Sequence, residues 1–421
     1  MSDNELAVVT ELATKRYELI KHNNEVYYFD GEIYTPFENE LYRAVAHGLA
    51  SNPSGRFKKD LLLNIYHYLD EYTGNVNVGS YVAFNDCLYN TKTHQCEPFN
   101  KDVVVTMKLK FDYPTEEASK PNMVDDIINK LLCGNKQDID TLYEYLGYIL
   151  ARDMILEKMM TFNGDGNNGK SSVLELITYT FDGCCNQLPF KSYFEKFGLS
   201  SLGKSMFVYA HEMTNDFIKD ATKFKEVLSN NDILIEEKYK NAYTLHNYNC
   251  KFIYGNNGLT KMDPDCLKAI TRRLLPISFD YDLGKEKRDM YFYKKWLTKE
   301  NAERLLFLAI EGLKRLQDRG NFELSDRSEE LLEQYANELD TVYNWVNQYE
   351  GEFIDREVKD LFNNYRTYTQ DLGGVPVKRS TFETRLCQIR ELKISQKNLN
   401  DGTNKRRYVF VDKNANTKVK K

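Results

Sequence analysis

A glycine-punctuated loop between an apolar run and a helical pattern constrains this chain more than any other stretch. Met159-Met160-Thr161-Phe162-Asn163 runs into Gly164-Asp165-Gly166-Asn167-Asn168-Gly169-Lys170-Ser171-Ser172, after which Val173, Leu174, Leu176 and Ile177 recur at helical spacing. This is the pattern G-x-x-x-x-G-K-[ST], whose glycines let backbone N–H groups turn inward around a polyphosphate. In that frame Lys170 is placed to reach the β- and γ-phosphates of ATP, and the Ser171 hydroxyl to hold Mg²⁺. Gly164, Gly166 and Gly169 also satisfy G-x-G-x-x-G, the dinucleotide fingerprint, which needs an acid on a following strand about 20 residues on. Asp182 stands near that distance, but in a Phe-Asp-Gly helix end, and the dinucleotide pattern leaves Lys170-Ser171 without work. A nucleoside triphosphate site is therefore the expectation.

Beyond the loop, strands and helices alternate. Lys170–Phe181 and Lys223–Leu228 read as helices, while Ser205–Ala210, Leu245–Tyr254 and Leu274–Phe279 read as strand-rich stretches. Such alternation predicts an α/β core on a mostly parallel sheet, with its ligand at the carboxyl ends of the strands. Hydrolysis needs more than a phosphate cradle: an acid for the attacking water, a polar sensor and a cation for transition-state charge. Glu212 ends an apolar strand 42 residues after Lys170, Asn257 ends the next strand-like stretch, and Arg272-Arg273 precede the last strand. Each also fits a plainer role: a strand-end Glu can cap a helix, Asn256-Asn257-Gly258 can be a turn, and paired arginines can be solvated. Glu212 is the expected second Mg²⁺ residue beside Ser171, and Arg273, with Arg272 second, the expected cation. Between these motifs, apolar flanks around Lys238-Tyr239-Lys240-Asn241 predict a hairpin with a basic, aromatic tip, suited to a nucleic-acid backbone or to nothing beyond a surface turn.

The N-terminal part is expected as a segment over 1–50 and a mainly helical domain over 51–150. The motor-like core then occupies 151–320. Glu25–Tyr34 reads as a hairpin turning at Asp30-Gly31, Phe37–Leu49 and Arg56–Tyr72 as helices, and Met123–Leu156 as a helical block broken near Gly134. An acidic stretch, Asp318–Glu333, reads as a linker. Beyond it Leu339–Tyr349, Glu357–Tyr368 and Ser380–Ile389 read as helices, and Leu392–Gln396 and Arg407–Val411 as strands: the winged variant of the helix-turn-helix, expected over 336–415.

Charge matters here. From Pro376 to Lys421 there are 13 Lys+Arg against 4 Asp+Glu, a balance of +9, whereas the whole chain carries 57 against 63. A basic end on an acidic body suggests duplex DNA, with Lys378, Arg379 and Arg385 at the third helix and Lys405, Arg406 and Arg407 on the wing as contacts; protein contacts or a solvated tail are the alternatives. Eight cysteines occur without a C-x-x-C pair, which argues against zinc and a disulfide framework, and no apolar run approaches the roughly 18 residues of a membrane span. The expectation is a protein of the host-cell cytoplasm that engages no membrane.

Taken together, Gly164–Ser171, Phe207-Val208-Tyr209-Ala210-His211-Glu212, Lys225–Asp232 leading into Lys238-Tyr239-Lys240, Phe252–Asn257 and Arg272–Phe279 resemble the superfamily 3 helicases. These are AAA+ motors of small DNA viruses, phages and mobile elements, and the likeness is greatest to the branch holding poxvirus and satellite-phage primase-helicases. It spans roughly residues 55 to 280. The resemblance implies a homo-hexameric, ATP-driven DNA helicase that unwinds 3′ to 5′ at replication initiation, with single-stranded DNA in a central channel and Arg273 or Arg272 acting on a neighbour's nucleotide. His211 stands where many relatives carry a second acid. About 50 residues precede the helical domain, too few for a primase, so a separate primase or loader protein is the expected partner. An initiator that melts an origin without processive unwinding is the alternative, and a small-substrate P-loop kinase a weaker one.

Overall fold

The computed structural model describes residues 10, 11, 14, 17–37, 55–212, 222–238, 240–256, 270–285, 289–372, 376–398 and 406–413. They fall into two compact units. The first takes in the chain to Thr214, Thr222–Gly258 and Arg273–Ser328; the second takes in 215–221, Leu259–Arg272 and Glu329–Lys421.

The first unit opens with an antiparallel sheet of β1 (Ile20–His22), β2 (Glu25–Phe29) and β3 (Tyr34–Pro36). The turn after β2 falls at Asp30-Gly31 as the dipeptide predicts: the Asp30 carboxylate accepts from the Glu32 and Ile33 N–H groups. The helix Gly55–Tyr68 buries Leu61 and Ile65, four residues apart, with Leu19, Val26 and Phe37. A second antiparallel sheet holds β4 (Tyr81–Ala83), β5 (Leu88–Asn90) and β6 (Gln95–Glu97). In the stretch 51–150, expected as mainly helical, these three short strands stand before the helices Met123–Leu131 and Lys136–Leu150. Asn122 and Asn135 cap them, which explains the break near Gly134. The predicted helix Phe37–Leu49 lies outside the described residues from 38 onward.

Five strands build the core sheet: β7 (Met159–Asn163), β8 (Cys185–Gln187), β9 (Phe207–Ala210), β12 (Lys251–Asn256) and β13 (Leu274–Ser278). All run parallel, in the order β13-β7-β12-β9-β8. A separate antiparallel hairpin is formed by β10 (Ile233–Ile235) and β11 (Tyr243–Leu245). Every residue of β7 and β13 is buried, as expected of a parallel sheet covered on both faces. Met159, Met160 and Phe162 are fully enclosed, each such side chain contributing about 1.5–3 kcal/mol. The helices Lys170–Thr180 and Lys299–Arg319 belong to this core, the latter capped by Thr298 and closed by Gly320 in the left-handed region.

One buried cation ties the unit together. Arg152 donates to the carbonyls of Asn77 (3.0 Å), Ser205 (3.2 Å), Met206 (3.2 Å) and Tyr248 (2.6 Å). Burial pulls its pKa down to about 10.

Of the stretch expected as a linker, Asp318–Glu333, residues 320–325 are irregular, and from Asp326 on the chain is a helix, Asp326–Leu339. Ser328, Leu331 and Tyr335 are buried at helical spacing, while Glu329, Glu330 and Glu333 are exposed, so the acids mark a solvated face and not an irregular chain. The second unit then has helices Thr341–Gln348, Val358–Asp371 and Arg379–Ile389, followed by an antiparallel pair, β14 (Leu392–Asn398) and β15 (Arg406–Asp412). Its core gathers Trp345, Leu361, Tyr365, Phe382, Leu386 and Phe410. Among the described residues no helix is long and apolar enough to cross a membrane.

Candidate functional site: a phosphate cradle at the end of the parallel sheet

β7 brings the chain to Asn163, where residues 164–169 turn into the helix Lys170–Thr180. Gly169 has φ +84°, and a side chain there would strike Leu131, so both backbone and space demand glycine. Asn168 is buried: its amide nitrogen donates to the Phe279 carbonyl at 2.9 Å, pinning the loop to the exit of β13. The Lys170 ammonium donates to the carbonyls of Gly164 (2.5 Å) and Asp165 (2.9 Å) and to Asn168 Oδ1 (3.0 Å). Burial lowers its pKa, while the carboxylates of Asp165 and Glu212 pull the other way. The catalytic cation expected from the sequence is thus presented at the loop by uncharged oxygens.

Glu212 arrives from β9. The His211 carbonyl sits so close to Gly255 of β12 that any Cβ there would collide with it, which fixes where the chain leaves the strand. One strand, β12, separates β9 from β7, so the acid and the loop leave the sheet about 10 Å apart. Residues 166–172, His211, Glu212 and Leu283 line one cavity of about 310 Å³, at the small end of the range for ligand sites. Gly166, Asn167, Asn168, Gly169, Lys170, Ser171, Ser172 and Glu212 are therefore brought together; Gly164 and Asp165 contribute carbonyls to Lys170. Asn257, expected beyond the end of β12, lies outside the described residues.

Among the described residues no group of three or more His, Cys, Asp or Glu side chains could hold a metal ion. Mg²⁺ at a phosphate site needs only one or two protein oxygens, the rest of its shell being phosphate and water. Ser171 and Glu212 both line the cavity and supply such a donor pair.

Three groups outside the motifs also belong here. The Leu283 N–H donates to the Asn167 carbonyl at 3.1 Å, the Trp296 indole N–H donates to the Ser172 carbonyl at 2.7 Å, and the Tyr293 hydroxyl lies 3.4 Å from Ser172 Oγ. No periodicity marks them in the sequence; the aromatic cluster Tyr291–Trp296 was the one available signal.

Arg273 is not at this site. It stands before β13, which runs parallel to β7 with Leu274 opposite Met159, so it belongs to the end of the sheet remote from the loop. Only 6% exposed, it donates to Glu157 at 2.6 Å and Ser229 Oγ at 2.9 Å. A guanidinium held this way braces the fold, whereas Arg272, one residue earlier, is exposed.

The hairpin predicted around Lys238–Asn241 is present as β10–β11, with Ile233 opposite Leu245. Lys238 is exposed and Tyr239 lies outside the described residues. Lys240 is ion-paired, at 3.0 Å from Glu25 and 2.8 Å from Glu237. In the second unit Lys378 and Arg379 open the third helix, Arg379 pairing with Glu383 at 2.7 Å. Arg385 is about two-fifths exposed and pairs with Asp340, whose carboxylate also caps the helix Thr341–Gln348. Arg407 pairs with Glu357. Lys405 and the Arg406 side chain lie outside the described residues.

The core is thus a five-stranded parallel α/β sheet with a glycine-rich loop at the carboxyl end of β7. A family of unknown function, DUF5906, matches residues 162–273, the stretch from that loop to Arg273. No curated protein matches the chain. Solved structures of the NrS-1 C-terminal region are similar over nearly the whole length. One apo A form has a TM-score of 0.53 at 14% identity, covering 98% of this chain and all of that one. A second apo structure, of residues 305–718, has a TM-score of 0.52 at 13% identity with the same coverage. At this identity the likeness is one of fold.

Proposed function

We propose that this protein is an ATP-hydrolysing DNA motor of the superfamily 3 type, serving replication initiation of a phage or mobile element as a homo-hexameric helicase. One observation carries the reading: Lys170 and Glu212 line the same cavity at the carboxyl end of a parallel sheet, with one strand between their own. A triphosphate on the loop N–H groups would draw the Lys170 ammonium off its carbonyl acceptors and onto phosphate oxygen, an exchange of one set of oxygens for another. Glu212 would orient and deprotonate the attacking water. Mg²⁺, held by Ser171 and the acid, would neutralise phosphate charge when bound. The Ser172 end of the helix, where Tyr293 and Trp296 close in, is where the nucleoside would leave the cradle. The three helices and hairpin of the second unit serve, in this reading, as a winged helix on duplex DNA, with Lys378 at its entrance. Glu212→Gln tests the reading: the variant should bind ATP and turn it over poorly, and wild-type turnover would remove Glu212 from the mechanism. Strand displacement on a forked duplex then tests the motor, since an origin-melting initiator would hydrolyse ATP without it.

A further inference from the structure

A second cleft of the first unit, about 730 Å³, shares no lining residue with the phosphate cradle. Its lining includes Lys59, Lys204 and Lys240 but one carboxylate, Glu25, on a chain whose net charge is −6. Half-buried Tyr66 and the exposed Leu63 supply aromatic and apolar surface beside these cations, while Tyr27 is buried. Lysines interleaved with rings are the make-up of a groove that tracks a single strand, where ammonium groups meet phosphates and rings meet bases.

Glu25 occupies the cationic part of that cleft. Its Oε1 accepts from Lys204 at 2.6 Å and from Lys240 at 3.0 Å, and its Oε2 accepts from the Tyr27 hydroxyl at 2.8 Å. Burial works to raise the Glu25 pKa, but these three donors outweigh it and bring it to about 2. Beside it the Asn24 amide donates to the Asn241 carbonyl at 2.7 Å, so the β1–β2 turn grips the β10–β11 tip twice. Two ammoniums and a hydroxyl from three separate parts of the chain converge on one oxyanion. That is the recognition set of a phosphodiester, filled by the protein's own carboxylate.

We propose that this cleft binds single-stranded nucleic acid, and that Glu25 holds the place of a backbone phosphate until a strand displaces it. The inference rests on the reading of the β10–β11 tip as a DNA contact and adds Lys204, the ring-lined groove and the competing carboxylate. Strand entry then exchanges one anion for another at Lys204 and Lys240, and frees the β1–β2 turn from the tip.

The test is fluorescence anisotropy of a labelled oligothymidylate with the full chain, titrated at several salt concentrations. Glu25→Gln is expected to tighten binding about tenfold and to steepen the salt dependence by roughly one unit of log–log slope, since Lys204 is released to phosphates and Lys240 keeps Glu237 alone. Glu195→Gln, the same charge change at an exposed site away from the cleft, is expected to alter affinity less than about twofold. Lys204→Ala should weaken binding about threefold and cancel the gain when combined with Glu25→Gln. Unchanged far-ultraviolet circular dichroism and basal ATPase would show that Glu25→Gln acts on binding alone. If Glu25→Gln behaves like Glu195→Gln and Lys204→Ala has no effect while Lys240→Ala weakens binding, the cleft assignment is overturned and the hairpin reading stands. If none of the lysine variants matters, the cleft and the hairpin reading both fall.

Discussion

Two lysines of the first unit are both held by oxygens of their own chain, and they are held differently. Lys170 sits against two backbone carbonyls and an amide oxygen, all neutral. Lys240 sits between the carboxylates of Glu25 and Glu237. Burial lowers the pKa of Lys170, whereas at Lys240 the two carboxylates outweigh burial and raise it. A cation held by dipoles has its full charge left for an incoming phosphate, and exchanging acceptors costs little. A cation paired with carboxylates is already neutralised, so an incoming anion must first displace one. The first arrangement suits a site that must bind in every cycle; the second suits one that engages only when something competes for it.

The largest expected effect tests the dipole-held side. Lys170→Ala should lower ATP turnover by about a thousandfold or more, because the transferred phosphoryl loses its main cation, and a phosphate-release assay reads this directly. Glu212→Gln should come next, slowing turnover by about a hundredfold while nucleotide affinity, measured by titration calorimetry, stays within a fewfold of wild type. A milder loss in Lys170→Ala than in Glu212→Gln would mean that the neutral cradle does not act as described.

Arg273 gives a third test, through stability. Removing a guanidinium that is 7% exposed and paired with Glu157 should cost about 2 kcal/mol, seen as a lower urea midpoint; the partner's partial exposure moderates the loss. Arg272→Ala should leave the midpoint within about 0.5 kcal/mol. If the family-type trans arginine is Arg272, mixing Arg272→Ala with Lys170→Ala subunits should restore part of the ATPase, because one interface then joins a good loop to a good arginine.

The carboxylate-held side gives a smaller effect and then a null one. Lys240→Ala should weaken oligothymidylate binding about threefold to tenfold and leave basal ATPase unchanged. The Glu25 pairing should not respond to ordinary pH. With its folded pKa lowered to about 2, its contribution is present above the unfolded value and is lost only as pH falls through about 2. The affinity gap between Glu25→Gln and wild type should therefore be flat between about pH 5 and 8; a gap that closes within that window would mean a different group competes for the lysines.

Much of this was legible because it is local. Residues 164–172 form a contiguous motif, β7 and β13 are short apolar runs, and Asp30-Gly31 is a dipeptide with its own turn chemistry. Asp318–Glu333 misled in its second half, where acidic composition was weighed above spacing: Ser328, Leu331 and Tyr335 carry the helical period through the charges. What no window could show is pairing across the chain. Arg273 meets Glu157 at a separation of 116 residues, and Glu25 meets Lys204 and Lys240 at 179 and 215. A charge reads the same in sequence whether it is solvated, braced or competed for. The pairing of Arg385 with Asp340 is another case, since the basic excess of the C-terminal end says nothing about which cations are ion-paired within the unit.

Arg152 imposes an order on assembly. Its four carbonyl acceptors come from positions 77, 205, 206 and 248, so the guanidinium stays hydrated until three distant segments have converged on it. Each loop that must close beforehand adds chain entropy to the barrier, and the reward arrives only when the last acceptor is in place. Replacing it with methionine should then leave the folding rate nearly unchanged and speed unfolding, the signature of a contact made after the transition state, which stopped-flow denaturant jumps would record. The strands before residue 100 and the five-stranded sheet would thus lock as a single kinetic event, with one side chain serving as the latch.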